Sequence, residues 1–153
     1  MMGRSTRLLS AGAVVVAAVG FVACPRPSGK LVIPVTISVD HNGVCTMPNV
    51  ANIKSGHQVT WSVEPKPNSF QVYFPVGTAS NPGSPFKKLV GSGHAASFPS
   101  ANGDPVTTGQ ARRTLFQIGT FQYNFPIQAV AVNGTLCYID SPTPDQNMKV
   151  HVD

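Results

Sequence analysis

The sequence predicts an all-β domain of short antiparallel strands, a sandwich or a barrel, and three observations carry that expectation. Several runs past residue 24 alternate apolar and polar residues with period two, the pattern of a half-buried sheet. No window in that region shows the three-to-four spacing of a long amphipathic helix. Fourteen prolines and fourteen glycines punctuate the runs, which suits many short strands joined by turns.

The first strand is expected over Leu31–Val39, where Leu31, Ile33, Val35, Ile37 and Val39 share one face. Asp40-His41-Asn42-Gly43 then turns the chain, Asn-Gly favouring a hairpin connection. Short extended pieces follow at Val44–Met47 and, after Pro48, up to Ile53. Lys54-Ser55-Gly56 turns into His57–Val63, where Val59, Trp61 and Val63 lie on one side, and Phe70–Phe74 is the next strand. From Pro75 to Gly109 the chain is rich in Gly, Pro, Ser and Asn. So long an excursion is expected to be a functional loop, a flap, or a stretch hiding a short element. Thr114–Ile118 and Thr120–Pro126 read as extended, Ala129–Tyr138 as a hairpin about Asn133-Gly134, and Met148–Val152 as the closing strand.

The beginning of the chain has the layout of an export signal. Arg4 and Arg7 precede an apolar and small run from Leu8 to Ala23, about 16 residues, short of the roughly 20 that cross a bilayer as a helix. Phe21-Val22-Ala23-Cys24 resembles the lipobox of bacterial lipoproteins, in which a small residue precedes the cysteine that receives lipid. Residues 1–23 are therefore expected to be a signal peptide, Cys24 the lipidated residue, 24–30 a Pro- and Gly-containing tether, and 31–153 a single domain. The expected location is the periplasmic side of the cell envelope, with the membrane as partner through the N-terminal lipid. If Cys24 carries lipid, Cys45 and Cys137 remain as the natural disulfide pair in an oxidising compartment. A bridge closing a loop of roughly 90 residues contributes on the order of 4 kcal/mol by restricting the unfolded chain.

Charge narrows the partners. Charged residues make up 11% of the chain, and the adjacent basic pairs are Lys87-Lys88 and Arg112-Arg113, without the aromatic interleaving of a nucleic-acid surface. No nucleic-acid partner is expected. No Gly-x-Ser-x-Gly elbow, His-Glu-x-x-His helix or phosphate-cradling glycine loop is present. Gly91-Ser92-Gly93-His94 puts a serine near a histidine, but sequence adjacency does not create a nucleophile and base. Glu64 is the single glutamate, so a paired-carboxylate mechanism would have to recruit dispersed aspartates. No catalytic residue is expected.

Several segments together resemble the cupredoxin family. Ile53-Lys54-Ser55-Gly56-His57-Gln58-Val59-Thr60-Trp61 is similar to the family's turn glycine followed by a Val-x-Trp strand. Phe70-Gln71-Val72-Tyr73-Phe74 is similar to the strand that follows, and Gly119-Thr120-Phe121-Gln122-Tyr123-Asn124-Phe125 resembles the strand leading into the family's metal loop. Asp145–Val152 resembles the closing strand. The resemblance implies an antiparallel Greek-key sandwich. It does not carry the copper chemistry, which needs a thiolate and two imidazoles. The first histidine position falls on Phe70 and the cysteine position on Phe125, so the resemblance implies a vacated metal site filled by two apolar rings.

These observations lead to one expectation and one alternative. The expectation is a non-enzymatic, lipid-anchored envelope protein without cofactor or metal, whose copper-free cupredoxin-like domain binds an envelope protein or small ligand through its long loop. The alternative is a copper-binding or electron-transfer protein with displaced ligands, drawn from His41, His57, His94 and His151 with Met47 or Met148. The four histidines show no ligand-like spacing.

Overall fold

The computed structural model describes residues 31–78, 82–116, 119–140 and 147–153; the expected signal peptide, Cys24 and the tether lie outside them. The described chain is all-β, with thirteen strands and no helix among the described residues. The first layer has the order β2-β1-β4-β7, formed by Cys45–Thr46, Val32–Val39, Gln58–Glu64 and Val106–Thr107. The second contains the sheet β12-β11-β5-β6, formed by Thr135–Ile139, Ala129–Val132, Phe70–Tyr73 and Ser97–Ser100. A three-stranded sheet, β10-β13-β3, continues it with Asn124–Pro126, Lys149–Val152 and Val50–Ile53. Continuity comes from the chain between β10 and β11, where Ile127 N donates to Met148 O (2.7 Å) and Gln128 N to Tyr73 O (2.8 Å). The remaining strands, β8 (Thr114–Phe116) and β9 (Thr120–Gln122), form a separate hairpin.

Two pairings depart from a purely antiparallel arrangement. β1 runs parallel to β4 over seven residue pairs from Val32↔Gln58 to Ser38↔Glu64, and β13 runs parallel to β3. Parallel neighbours need a crossover connection, and here the chain between β1 and β4 passes through β2 and β3. The sheets stay open among the described residues, so the arrangement is sandwich-like and not a closed barrel.

Alternation decides what goes inside. Val59, Trp61 and Val63 of β4 are buried, as are Val35 and Ile37 of β1, Phe70 and Val72 of β5, Phe98 of β6 and Val130 of β11. Their neighbours along each strand point outward, where Thr36 and Ser62 pair their hydroxyls at 3.2 Å and Thr60 and Thr107 at 2.8 Å. Two turns carry their own chemistry. Asp40 Oδ1 accepts from Asn42 N (2.8 Å) and Val44 N (2.9 Å) between β1 and β2. Asn133 (φ 49) and Gly134 (φ 77) both adopt the left-handed conformation that a two-residue hairpin turn demands between β11 and β12.

One edge of the sandwich is stapled covalently. Cys45 on β2 and Cys137 on β12 form a disulfide with a Cα–Cα distance of 5.1 Å, so the edge strand of one layer is joined to that of the other. Nearby, Met148 N donates to the Tyr138 hydroxyl (3.0 Å), linking β12 to the segment entering β13. Burial pushes the Tyr138 phenol above its ordinary 10.0; the Met148 amide opposes this, and Asp140 adds to it.

Replacing both Cys45 and Cys137 with alanine is expected to lower unfolding free energy by about 4 kcal/mol, read from denaturant midpoints of oxidised wild type and variant. A second expectation follows from Tyr138. Because the folded state favours the neutral phenol, its stabilising contribution is complete below pH 10 and fades as pH rises through the raised value. Alkaline melts of wild type should steepen above pH 10 relative to Tyr138→Phe, and coinciding profiles would contradict this assignment.

Candidate functional site

The long excursion is not an idle loop. It contributes β6 and β7, and it is held to the sandwich by four aromatic rings: Trp61 on β4, Phe74 after β5, Phe86 and Phe98. Phe86 lies 6.3 Å from Trp61, 5.9 Å from Phe74 and 5.6 Å from Phe98, each contact edge-to-face, the geometry the ring quadrupole prefers. Main-chain bonds reinforce the anchor: Phe74 N donates to Ala96 O (2.8 Å), Ala95 N to Phe86 O (2.8 Å) and Arg112 N to Pro85 O (2.8 Å). The indole N–H of Trp61 is buried without an acceptor among the described residues, a loss of about 1–3 kcal/mol that the ring packing must offset.

Between this anchored excursion and β8 lies a cavity of about 580 Å³. Its apolar wall includes Val76, Pro82, Ala96 and Leu115; its polar groups come from Thr78, Lys88, His94 and Thr114. His94 Nδ1 lies 2.7 Å from the Ser84 carbonyl, which can only accept, so this nitrogen carries a proton and donates it there. Beside the lining residue Pro82, the chain requires a glycine. Gly83 sits at φ +69, and a Cβ there would run into the Pro75 carbonyl.

Within the excursion, residues 86–95 form a small hairpin, closed by the Lys87↔His94 bridge and by Lys88 N donating to Gly93 O (3.0 Å). Leu89 and Val90 at its tip are 75% and 88% exposed.

The four histidines do not converge. His41 is exposed in the β1–β2 turn, and His57 is buried with Nδ1 accepting from Lys54 N (3.3 Å). His151 lies between Asn124 Oδ1 (2.8 Å) and Asp153 Oδ1 (3.0 Å). No group of three His, Cys, Asp or Glu side chains suited to a metal occurs among the described residues. Met148 is buried in the core, and Met47 packs against it.

Phe70 and Phe125 are both buried and belong to the same hydrophobic core. Phe70 on β5 pairs with Val132 of β11, and Phe125 on β10 pairs with Val150 of β13.

An exposed cluster on β9, β10 and β13 had no sequence signal. The Arg113 guanidinium lies 5.3 Å from the Phe121 ring and 5.8 Å from Tyr123, and Tyr123 stacks on His151. Period-two alternation puts Phe121 and Tyr123 on one face, but the partner cation precedes them by a hairpin. No protein-family model, curated protein or solved structure matches the chain.

Gly83→Ala is expected to destabilise the protein by about 2 kcal/mol, combining a left-handed backbone with a backbone collision. Gly91→Ala, at φ +82 with open space around it, should lose less. Thermal melts of the two variants separate the collision from the backbone preference.

Proposed function

We propose that this chain is an exported, lipid-anchored envelope protein whose copper-free, cupredoxin-like domain is a non-enzymatic binding module. Its binding site is the cavity beneath the 75–96 excursion. The observation that carries this reading is the cavity itself, about 580 Å³, within the size range of small-molecule sites. Apolar walls with a few convergent polar groups are what such sites use to bury a ligand and fix its orientation. Among the described residues the lining contains one cation, Lys88, and no carboxylate, which suits a ligand with an apolar body and a polar or anionic group.

Three features support a copper-free binding domain. Both domain cysteines are engaged with each other, so neither sulfur is a free thiolate. His57 and His94 each spend Nδ1 on the main chain. The β-rich, two-layer form with the closing strand beside β3 agrees with the cupredoxin-like reading of the sequence segments.

The test fills the cavity. Protein purified from its own membranes is expected to carry a small molecule detectable by native mass spectrometry. Ala96→Trp should lose that molecule while keeping a melting temperature within a few degrees of wild type. Retention of the same molecule by Ala96→Trp would remove the cavity as the site. Stoichiometric copper with a thiolate charge-transfer band would overturn the non-metal reading.

A further inference from the structure

The hairpin 86–95 carries a feature that the cavity shares only through Lys88. Leu89 and Val90 form an adjacent apolar pair at its tip, far more exposed than side chains of their kind need be. Immediately before them stand Lys87 and Lys88, both exposed, and Arg112 is tied to the base of the hairpin through Pro85. Residues 75–103 contain no acidic side chain, and the next one, Asp104, is paired with Lys66 at 3.3 Å. An apolar tip with cations at its shoulder is what an anionic bilayer surface selects. The aliphatic groups enter the acyl boundary while the ammonium groups stay among the phosphates.

The path of the chain favours that occupant. Gln58 N donates to Leu31 O (2.9 Å), Ala111 N donates to His57 O (2.6 Å), and Ala111 bridges Phe86. Leu31 is thus about three strand spacings, on the order of 15 Å, from the base of the hairpin. The seven residues from Cys24 to Leu31 span at most about 25 Å when extended. The base of the hairpin therefore lies within the span that the segment from Cys24 can cover.

We infer that the 86–95 hairpin is a membrane contact, with Leu89 and Val90 inserting among anionic lipids and Lys87 and Lys88 binding their phosphate groups. The inference rests on the envelope placement proposed above for the membrane it meets, but the contact itself needs no acyl chain.

The test uses the full chain with Cys24→Ser and Ser92→Cys. The disulfide occupies the other two sulfurs, so an environment-sensitive fluorophore attaches at the tip alone. With vesicles of phosphatidylglycerol and phosphatidylcholine in equal parts, the label should shift to the blue. With phosphatidylcholine alone it should not. In the same background, Lys87→Glu with Lys88→Glu should weaken the response at least about tenfold, and Leu89→Ser with Val90→Ser should abolish the shift. Unchanged emission of buried Trp61 shows that the variants remain folded.

No shift with anionic vesicles would overturn the inference. So would an equal shift with neutral vesicles or with the charge-reversed variant, either of which would leave the apolar N-terminal run as the partitioning segment. Whether Cys24 is acylated is read separately from the intact mass of wild-type protein extracted from membranes, so the two ideas fail independently.

Discussion

The packing of Phe86 against Trp61, Phe74 and Phe98 is the interaction on which the rest of the molecule's distinctive surface depends. Trp61 and Phe98 belong to opposite layers, and Phe74 follows β5, so these three rings are already fixed by the sandwich. Phe86 is not on a strand; it is brought in by the excursion and is fully buried there. Burying such a ring stabilises by about 1.5–3 kcal/mol, enough to hold a glycine- and proline-rich segment whose own backbone order is unfavourable. The cavity and the 86–95 hairpin both take their positions from it. The buried indole N–H of Trp61, without an acceptor among the described residues, is the cost of this arrangement.

The disulfide solves a different problem at the other edge. β2 is only two residues long, too short to secure the edge of its layer through main-chain bonds. Cys45 compensates by joining β12, whose own outward side chains Leu136 and Ile139 are exposed and contribute little to burial. One edge is therefore held by a covalent bond and the other by aromatic packing and the chain continuing from β6 into β7.

Much of this framework was legible in the sequence because alternation is a local signal. Val59, Trp61 and Val63 declare their common face without reference to any other strand, and Asn133-Gly134 specifies its turn through the backbone freedom of two residues. What was not legible depends on pairing over distance. Nothing in Val32–Val39 says that its neighbour is Gln58–Glu64 running parallel, since both parallel and antiparallel strands show the same period. Phe70 illustrates the same limit: the run Phe70–Phe74 reads as a strand, yet only the sheet register shows that Phe70 pairs with Val132. β6 escaped notice because Ser97-Phe98-Pro99-Ser100 has one apolar inward residue and a proline, too little for a pattern. Proline is admissible there because β6 is an edge strand. The cavity was invisible for a related reason, as its walls come from residues scattered between Val76 and Leu115.

The sparse charge of the chain gives its few ions more meaning than they would have on an ordinary surface. Across the first layer the outward faces of β1, β4 and β7 are wetted by hydroxyl pairs, Thr36 with Ser62 and Thr60 with Thr107. Hydroxyls hydrate a sheet without long-range fields, so such a surface neither steers nor repels a charged partner. The field outside the molecule is then set by the places where charge does collect. Lys66 and Asp104 neutralise each other. Lys87 and Lys88 stand on the excursion with no carboxylate in the surrounding segment. Beside these two adjacent ammonium groups Leu89 and Val90 are exposed, so the 86–95 hairpin presents positive charge and bare aliphatic surface together.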